Sequence, residues 1–162
     1  MHKLQPNSRN CFVCGLANPI GLHLRFYETG PGEVTADYIV PEQFQGYPGV
    51  VHGGIVAAML DEVTGRVHMH GDPPRLMFTA RLEIKYRKNV PVGQILRLVG
   101  QACKSKAKTA TSIGKIYGPD GELLAEAEAL LVDVPQDVVS TVDLDALGWK
   151  VYDDSRLLSE SD

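Results

Sequence analysis

Val50-Val51-His52-Gly53-Gly54-Ile55-Val56-Ala57-Ala58-Met59-Leu60-Asp61-Glu62-Val63-Thr64-Gly65 is the clearest long helix candidate in this 162-residue chain. At about 100° per residue, Ile55, Val56, Met59, Leu60, Val63 and Val67 fall in one arc roughly 140° wide. Such an arc predicts a stripe facing a core. Asp61 projects about 240° from Ile55, nearly opposite the stripe centre. Its neighbours on that side are Ala57, Ala58, Gly65 and His68. Glu62 lands at the stripe's edge, one turn before Arg66, where an exposed i,i+4 ion pair is natural. The two adjacent carboxylates therefore have different expected jobs. Asp61 stands on a face of small residues that a backbone or a ligand can approach, and Glu62 supports the helix.

Gly53-Gly54 opens this helix with unpaired backbone N–H groups and no side chain in the way. The helix dipole adds partial positive charge there. A start of this kind can hold a carbonyl oxygen as negative charge develops on it. Two glycines are weak evidence alone, and a lone His52 is more often a structural hydrogen bonder than a catalyst.

The combination is more specific. His52-Gly53-Gly54, followed nine residues after the histidine by Asp61, resembles the hotdog-fold acyl-CoA thioesterases. Cys11-Phe12-Val13-Cys14-Gly15, Asn18-Pro19 and Gly21-Leu22 are similar to the amino-terminal signature of the PaaI-like branch of that superfamily. The resemblance covers roughly residues 10 to 134. It implies an α+β hotdog fold, one long helix wrapped by a curved antiparallel sheet of about six strands. It also implies homodimers or dimers of dimers, with active sites between subunits.

Size and composition agree with one globular domain over residues 1–162. Hydrophobic residues make up 44% and charged residues 22%, ordinary for a globular chain. A net charge of −4 argues against nucleic acid as a partner. No apolar run reaches membrane-spanning length, and Met1 to Pro6 lacks the apolar core of a secretion signal. Three cysteines, an odd number, fit a reducing cytoplasm better than a disulfide framework.

Taken in order, residues 1–10 are polar and read as loose. Cys11-x-x-Cys14 raises the question of metal, but zinc normally needs four ligands. No second Cys pair follows, because Cys103 stands alone and His23 does not complete a set. The expectation is a structured turn with buried thiols, no metal and no cofactor. Leu22 to Glu28 alternates as a strand, Thr29-Gly30-Pro31-Gly32 turns, and Glu33 to Val40 returns. The loop Pro41 to Gly49 leads into the helix, and Gln45 is its best hydrogen-bonding candidate. His68, His70 and Asp72 make a weak metal cluster, since the two histidines point about 200° apart on a helix. Strands are expected over 76–88, 95–105, 109–117 and 122–134, with Gly118-Pro119-Asp120-Gly121 as a hairpin turn. Residues 135–162 are a carboxy-terminal extension of uncertain structure. It carries the chain's only tryptophan, Trp149, and an acidic end from Asp153 to Asp162.

Hydrolysis of an acyl-CoA thioester to free acid and CoA is the activity the resemblance implies. The Gly54 N–H would polarise the carbonyl, and Asp61 would act as general base or nucleophile. His52, Gln45 and Thr79 complete the catalytic candidates; Thr79, eighteen residues after the acid, matches a Ser/Thr position in the family that the chain resembles. Gly53, Arg81, Lys85 and Arg87 are candidates for substrate binding. Lys104, Lys106 and Lys108 offer another basic group for the phosphates. Tyr47-Pro48-Gly49, Met59, Met77 and Phe78 are candidates for the acyl pocket. The alternatives are a non-catalytic acyl-thioester binder and a dehydratase of the same fold.

Overall fold

The computed structural model describes residues 2–153. In chain order the strands are β1 (Lys3–Leu4), β2 (Tyr27–Gly30) and β3 (Glu33–Ile39), followed by helix α1 (Gly53–Arg66). Four long strands come next, β4 (Met77–Tyr86), β5 (Ile95–Ser105), β6 (Thr109–Tyr117) and β7 (Leu123–Asp133), then a short helix α2 (Gln136–Val139). The strands form one antiparallel sheet in the order β1-β2-β3-β5-β6-β7-β4. It curves around α1, the hotdog arrangement, in an α+β chain.

The stripe read from periodicity is the face that packs. Val56, Met59, Leu60, Val63 and Val67 are buried, and Ile55 packs at the edge of the same core. Burial of each such side chain contributes about 1.5–3 kcal/mol. Two strand glycines set how close the helix sits. A Cβ on Gly100 would lie 2.5 Å from the Val63 carbonyl oxygen, and one on Gly114 would lie 2.8 Å from Thr64 Cγ2. Any side chain there would lift α1 off the sheet. Ser112 Oγ then donates to the Thr64 carbonyl at 2.8 Å. His68 Nε2 meets the Thr111 carbonyl oxygen at 3.0 Å. His68 is therefore buried structure, apart from the exposed His70.

Three expectations are corrected. The alternation of Leu22, Leu24 and Phe26 is real in burial, and all three are core. Only residues from Tyr27 on make a ladder, however, because Leu22 and Leu24 donate instead to the Phe12 and Val13 carbonyls. Residues 1–10 are not loose. β1 pairs with β2, and buried Asn7 donates to the carbonyls of Cys14 and Leu24 at 2.7 and 2.8 Å. The carboxy-terminal extension packs onto that segment, with Asn7 and Lys150 bridged through their backbones. Of the acidic end, all but Asp153 lies outside the described residues.

The third correction concerns Arg66, which is 1% exposed rather than a surface partner. Its Nε donates to Glu62 at 2.9 Å and its Nη1 to the Pro6 carbonyl at 2.6 Å. The guanidinium also lies over the rings of Phe26, at 4.7 Å, and Trp149, at 5.2 Å. Helix periodicity found the pair and missed its depth, because the cover comes from residues distant in sequence.

Candidate active site

Helix α1 starts at His52, which is its N-cap. The His52 ring occupies an amide expected to be open: its Nδ1 accepts the Gly54 N–H at 2.9 Å. The Gly54 amide expected to act as polarising donor is thus engaged by the His52 ring in this structure. The neighbouring Gly53 N–H makes no hydrogen bond among the described residues. Both amides belong to the positive end of the helix dipole, which favours an anion there. Tyr86, which the sequence reading did not single out, donates its hydroxyl to the Gly53 carbonyl at 2.8 Å. The alternation Leu82, Ile84, Tyr86 along β4 was the available signal.

A cleft of about 540 Å3 opens at this helix start, lined by Gly46, Tyr47, His52, Gly53, Tyr86, Arg87 and Lys88 among others. Gln45 is held back in its own loop, where its side-chain oxygen accepts the Gly49 N–H at 3.1 Å. Gln45 is not among the cleft-lining residues.

Two turns along α1, Asp61 Oδ1 accepts a hydrogen bond from Thr79 Oγ1 at 2.7 Å. The pairing depends on an irregularity in β4. Thr79 pairs with Leu131 and Arg81 with Leu130, so Ala80 is the extra residue of a β-bulge. Leu82 and Ile84 face the helix side with Ala129 and Ala127. Simple alternation back from Leu82 would turn Thr79 outward, and the bulge turns it inward to Asp61. The second Asp61 oxygen has no protein partner among the described residues. Asp61 and Thr79 thus form a carboxylate–hydroxyl pair with a free acceptor, half open to solvent.

Arg81 and Lys85 do not join this group. They stand on the outer face of β4, opposite Leu82 and Ile84. Arg81 lies in a groove with Glu83, Cys103, Lys104 and Glu128, and Lys85 lies beside Glu83, Glu126 and Glu128. Alternation along a strand fixes this separation, and the sequence reading grouped the cations without it. Arg87 does reach the cleft, where it also pairs with Glu126 at 2.8 Å. Met59 is 0% exposed, so it is core rather than acyl pocket, whereas Tyr47 lines the cleft.

Glu62 has a different environment. Burial pushes its carboxyl up to about 7, against the opposing pull of Arg66. Cys11 and Cys14 lie beside it. The hydrogen bond from Cys14 lowers the Cys11 thiol to about 6, and the same bond together with burial pushes Cys14 up. Cys11, Cys14 and Glu62 are the described residues whose placement can hold a metal ion.

A family model described as the thioesterase superfamily matches residues 48–125, from the loop before α1 into β7. Over that segment the chain is similar to the thioesterase superfamily. Among relatives, the acyl-coenzyme A thioesterase THEM4 of Xenopus laevis is 30% identical over 91 residues, 54% of this chain and 39% of that protein. The chain thus spans about two-fifths of that relative's length. A solved thioesterase superfamily protein is 30% identical with a TM-score of 0.70, covering 77% of this chain and 61% of that one. A Streptococcus mutans UA159 protein solved bound to acetyl-CoA shares the fold at a TM-score of 0.62 and 19% identity, covering 68% and 88% of the two chains. The matched segment contains His52, Gly53, Asp61 and Thr79, so the superfamily likeness and the site geometry fall on the same residues.

Proposed function

We propose that this chain hydrolyses an acyl-CoA thioester to the free acid and CoA. The observation that carries the reading is the Asp61–Thr79 pair, a carboxylate aligned by a hydroxyl on a helix whose N-terminus opens into a cleft. In this reading the Gly53 N–H holds the thioester carbonyl oxygen and stabilises the charge that develops there. Asp61 takes a proton from water as the water oxygen attacks the carbonyl carbon. In the other route the carboxylate attacks first, and water then opens the mixed anhydride. Collapse of the tetrahedral intermediate breaks the carbon–sulfur bond and releases the CoA thiolate, which takes up a proton. Thr79 orients Asp61 or the water. Arg87 and Lys88 at the cleft would meet phosphate charge.

Spacing along α1 adds a second element to the proposal. Gly53 and Asp61 are eight residues apart, about 12 Å along one helix. One carbonyl group does not span that distance. The amide and the acid that serve one substrate therefore come from two subunits, and the working unit is at least a dimer.

The test is release of CoA thiol from a panel of acyl-CoA substrates by the wild type and Asp61→Asn. Turnover of at least one substrate, with a loss of roughly 10²-fold or more in Asp61→Asn, is expected for removal of a general base. No turnover of any substrate by the wild type, with the thioesters bound intact, would replace hydrolysis by simple acyl-thioester binding.

A further inference from the structure

The Cys11-x-x-Cys14 turn and the outer edge of α1 bring together three groups that the hydrolytic reading does not use. The two Sγ atoms and a Glu62 carboxylate oxygen all lie within 4.8 Å of one another. A tetrahedral ion with bonds of about 2.3 Å to sulfur and 2.1 Å to oxygen holds its ligand atoms roughly 3.5–4 Å apart. Cys11 Sγ and Glu62 Oε2 are 4.0 Å apart.

Each ligand is held in place by something else. The Gly15 N–H closes the turn on the Cys11 carbonyl at 2.8 Å. A Cβ on Gly15 would lie 2.4 Å from the Cys11 backbone nitrogen, so the turn requires glycine there. Ser8 Oγ accepts the Cys11 N–H at 3.2 Å and sits 3.7 Å from Cys14 Sγ. Arg66 binds Oε1 of Glu62, which leaves Oε2 turned toward Cys11. Such supporting contacts orient ligands in metal sites.

We propose that Cys11, Cys14 and Glu62 bind one thiophilic divalent cation, zinc in the first instance, with water as the fourth ligand. Two thiolates select a soft or borderline ion over calcium or magnesium. The charges also close. Two thiolates and one carboxylate balance the divalent ion together with the buried Arg66 guanidinium, so the half-buried site is neutral when filled. Binding releases two thiol protons to solvent and changes no oxidation state. A disulfide between the cysteines would need no third group, whereas a carboxylate turned toward them suits a cation. The ion would pin the amino-terminal segment to α1 at the residue next to Asp61. This reverses the expectation from spacing, which looked for a second Cys or His pair and could not see a carboxylate contributed by the helix. The inference is independent of the hydrolytic reading.

The experiment uses the full chain, reduced and stripped of metal, titrated with Zn2+ in competition with a chromophoric chelator. Co2+ serves as the spectroscopic probe. The wild type is expected to take up one equivalent of Zn2+. Its Co2+ form is expected to show thiolate-to-metal charge transfer and tetrahedral d–d bands. Cys11→Ser, at a half-buried position, should lose tight binding while keeping the far-UV circular dichroism of the fold. Glu62→Gln should weaken Zn2+ by more than about 10-fold, a loss at least as large as that for an outer-shell contact. Failure of the reduced wild type to take up Zn2+ would overturn the proposal. So would a Glu62→Gln chain that binds as tightly as the wild type, because two thiols alone would then explain the affinity. A Cys11–Cys14 disulfide forming equally fast with and without excess Zn2+ would assign the pair to redox chemistry instead.

Discussion

Asp61 projects toward β4 and meets one strand hydroxyl. Glu62, one residue later, projects toward the amino-terminal segment and meets a guanidinium that is 1% exposed. The residues are about 100° apart on the same helix, and their surroundings divide the labour of α1. On the Asp61 side the contacts are few, one acceptor oxygen is open, and the neighbours are small. On the Glu62 side an ion pair, a backbone carbonyl, two aromatic rings and two thiols close over the helix. The lesson is that two adjacent carboxylates on one helix are told apart by what packs around them.

Breaking the structural side should give the largest stability effect. Arg66→Ala leaves Glu62 half-buried without its cation and removes the stacking on Phe26 and Trp149. Loss of one partner from a buried pair costs about 3–5 kcal/mol. For a chain of this size that lowers the thermal midpoint by roughly 10 °C or more. Thermal melts measure it, and a shift of only a degree or two would return Glu62–Arg66 to the rank of a surface pair.

The sheet that holds both carboxylates in position gives the next effect. Gly114→Ala places a methyl 2.8 Å from Thr64 Cγ2, and overpacking of this kind costs typically about 1–3 kcal/mol. The shift of α1 should also loosen the Asp61–Thr79 pair, so turnover per folded molecule should fall with stability. Denaturant unfolding alongside kinetics checks both. Unchanged stability would mean that the helix can move away at no cost.

The smallest effect belongs to a surface pair that serves as a control. Arg97 donates to both Asp37 oxygens at 2.8 Å, with the side chains 62% and 50% exposed. The Arg97 hydrogen bonds hold the Asp37 carboxyl below its usual range. A depressed carboxyl contributes stability that is present above its ordinary pKa of about 3.9 and is lost as pH falls through the folded value. Exposure and salt limit the contribution to about 0.5 kcal/mol or less. The difference in unfolding free energy between wild type and Asp37→Asn should therefore be small at pH 7 and vanish in strong acid. A difference comparable to that of Arg66→Ala would remove the contrast between buried and exposed pairs.

Much of this was legible in the sequence for physical reasons. A helix reports its own period, so the core stripe and the separate directions of Asp61 and Glu62 followed from spacing. The strands over 95–105 and 109–117 came out with the expected limits. What escaped depends on contacts between distant segments. The burial of Arg66 requires Pro6, Phe26 and Trp149, and no local pattern joins them. The β-bulge at Ala80 changes which face Thr79 presents, although the strand around it reads as simple alternation. The engagement of the Gly54 N–H turns on one histidine ring, whose rotamer the sequence does not reveal.

The central claim is that one site takes its amide from one subunit and its acid from another. Two inactive chains test it most directly. Gly53→Pro removes the Gly53 N–H at the first helical position, where proline is tolerated. His52 already has the extended backbone, φ −56° and ψ 135°, that a following proline favours. Asp61→Asn removes the acid. Each homo-oligomer should be nearly inactive toward the best acyl-CoA substrate. Co-expressed and purified through two different tags, the mixed dimer should carry one intact site of its two, so activity should return to about half the wild-type value per dimer. Mixed dimers as inactive as their parents, with the fold intact, would contradict a site shared between subunits.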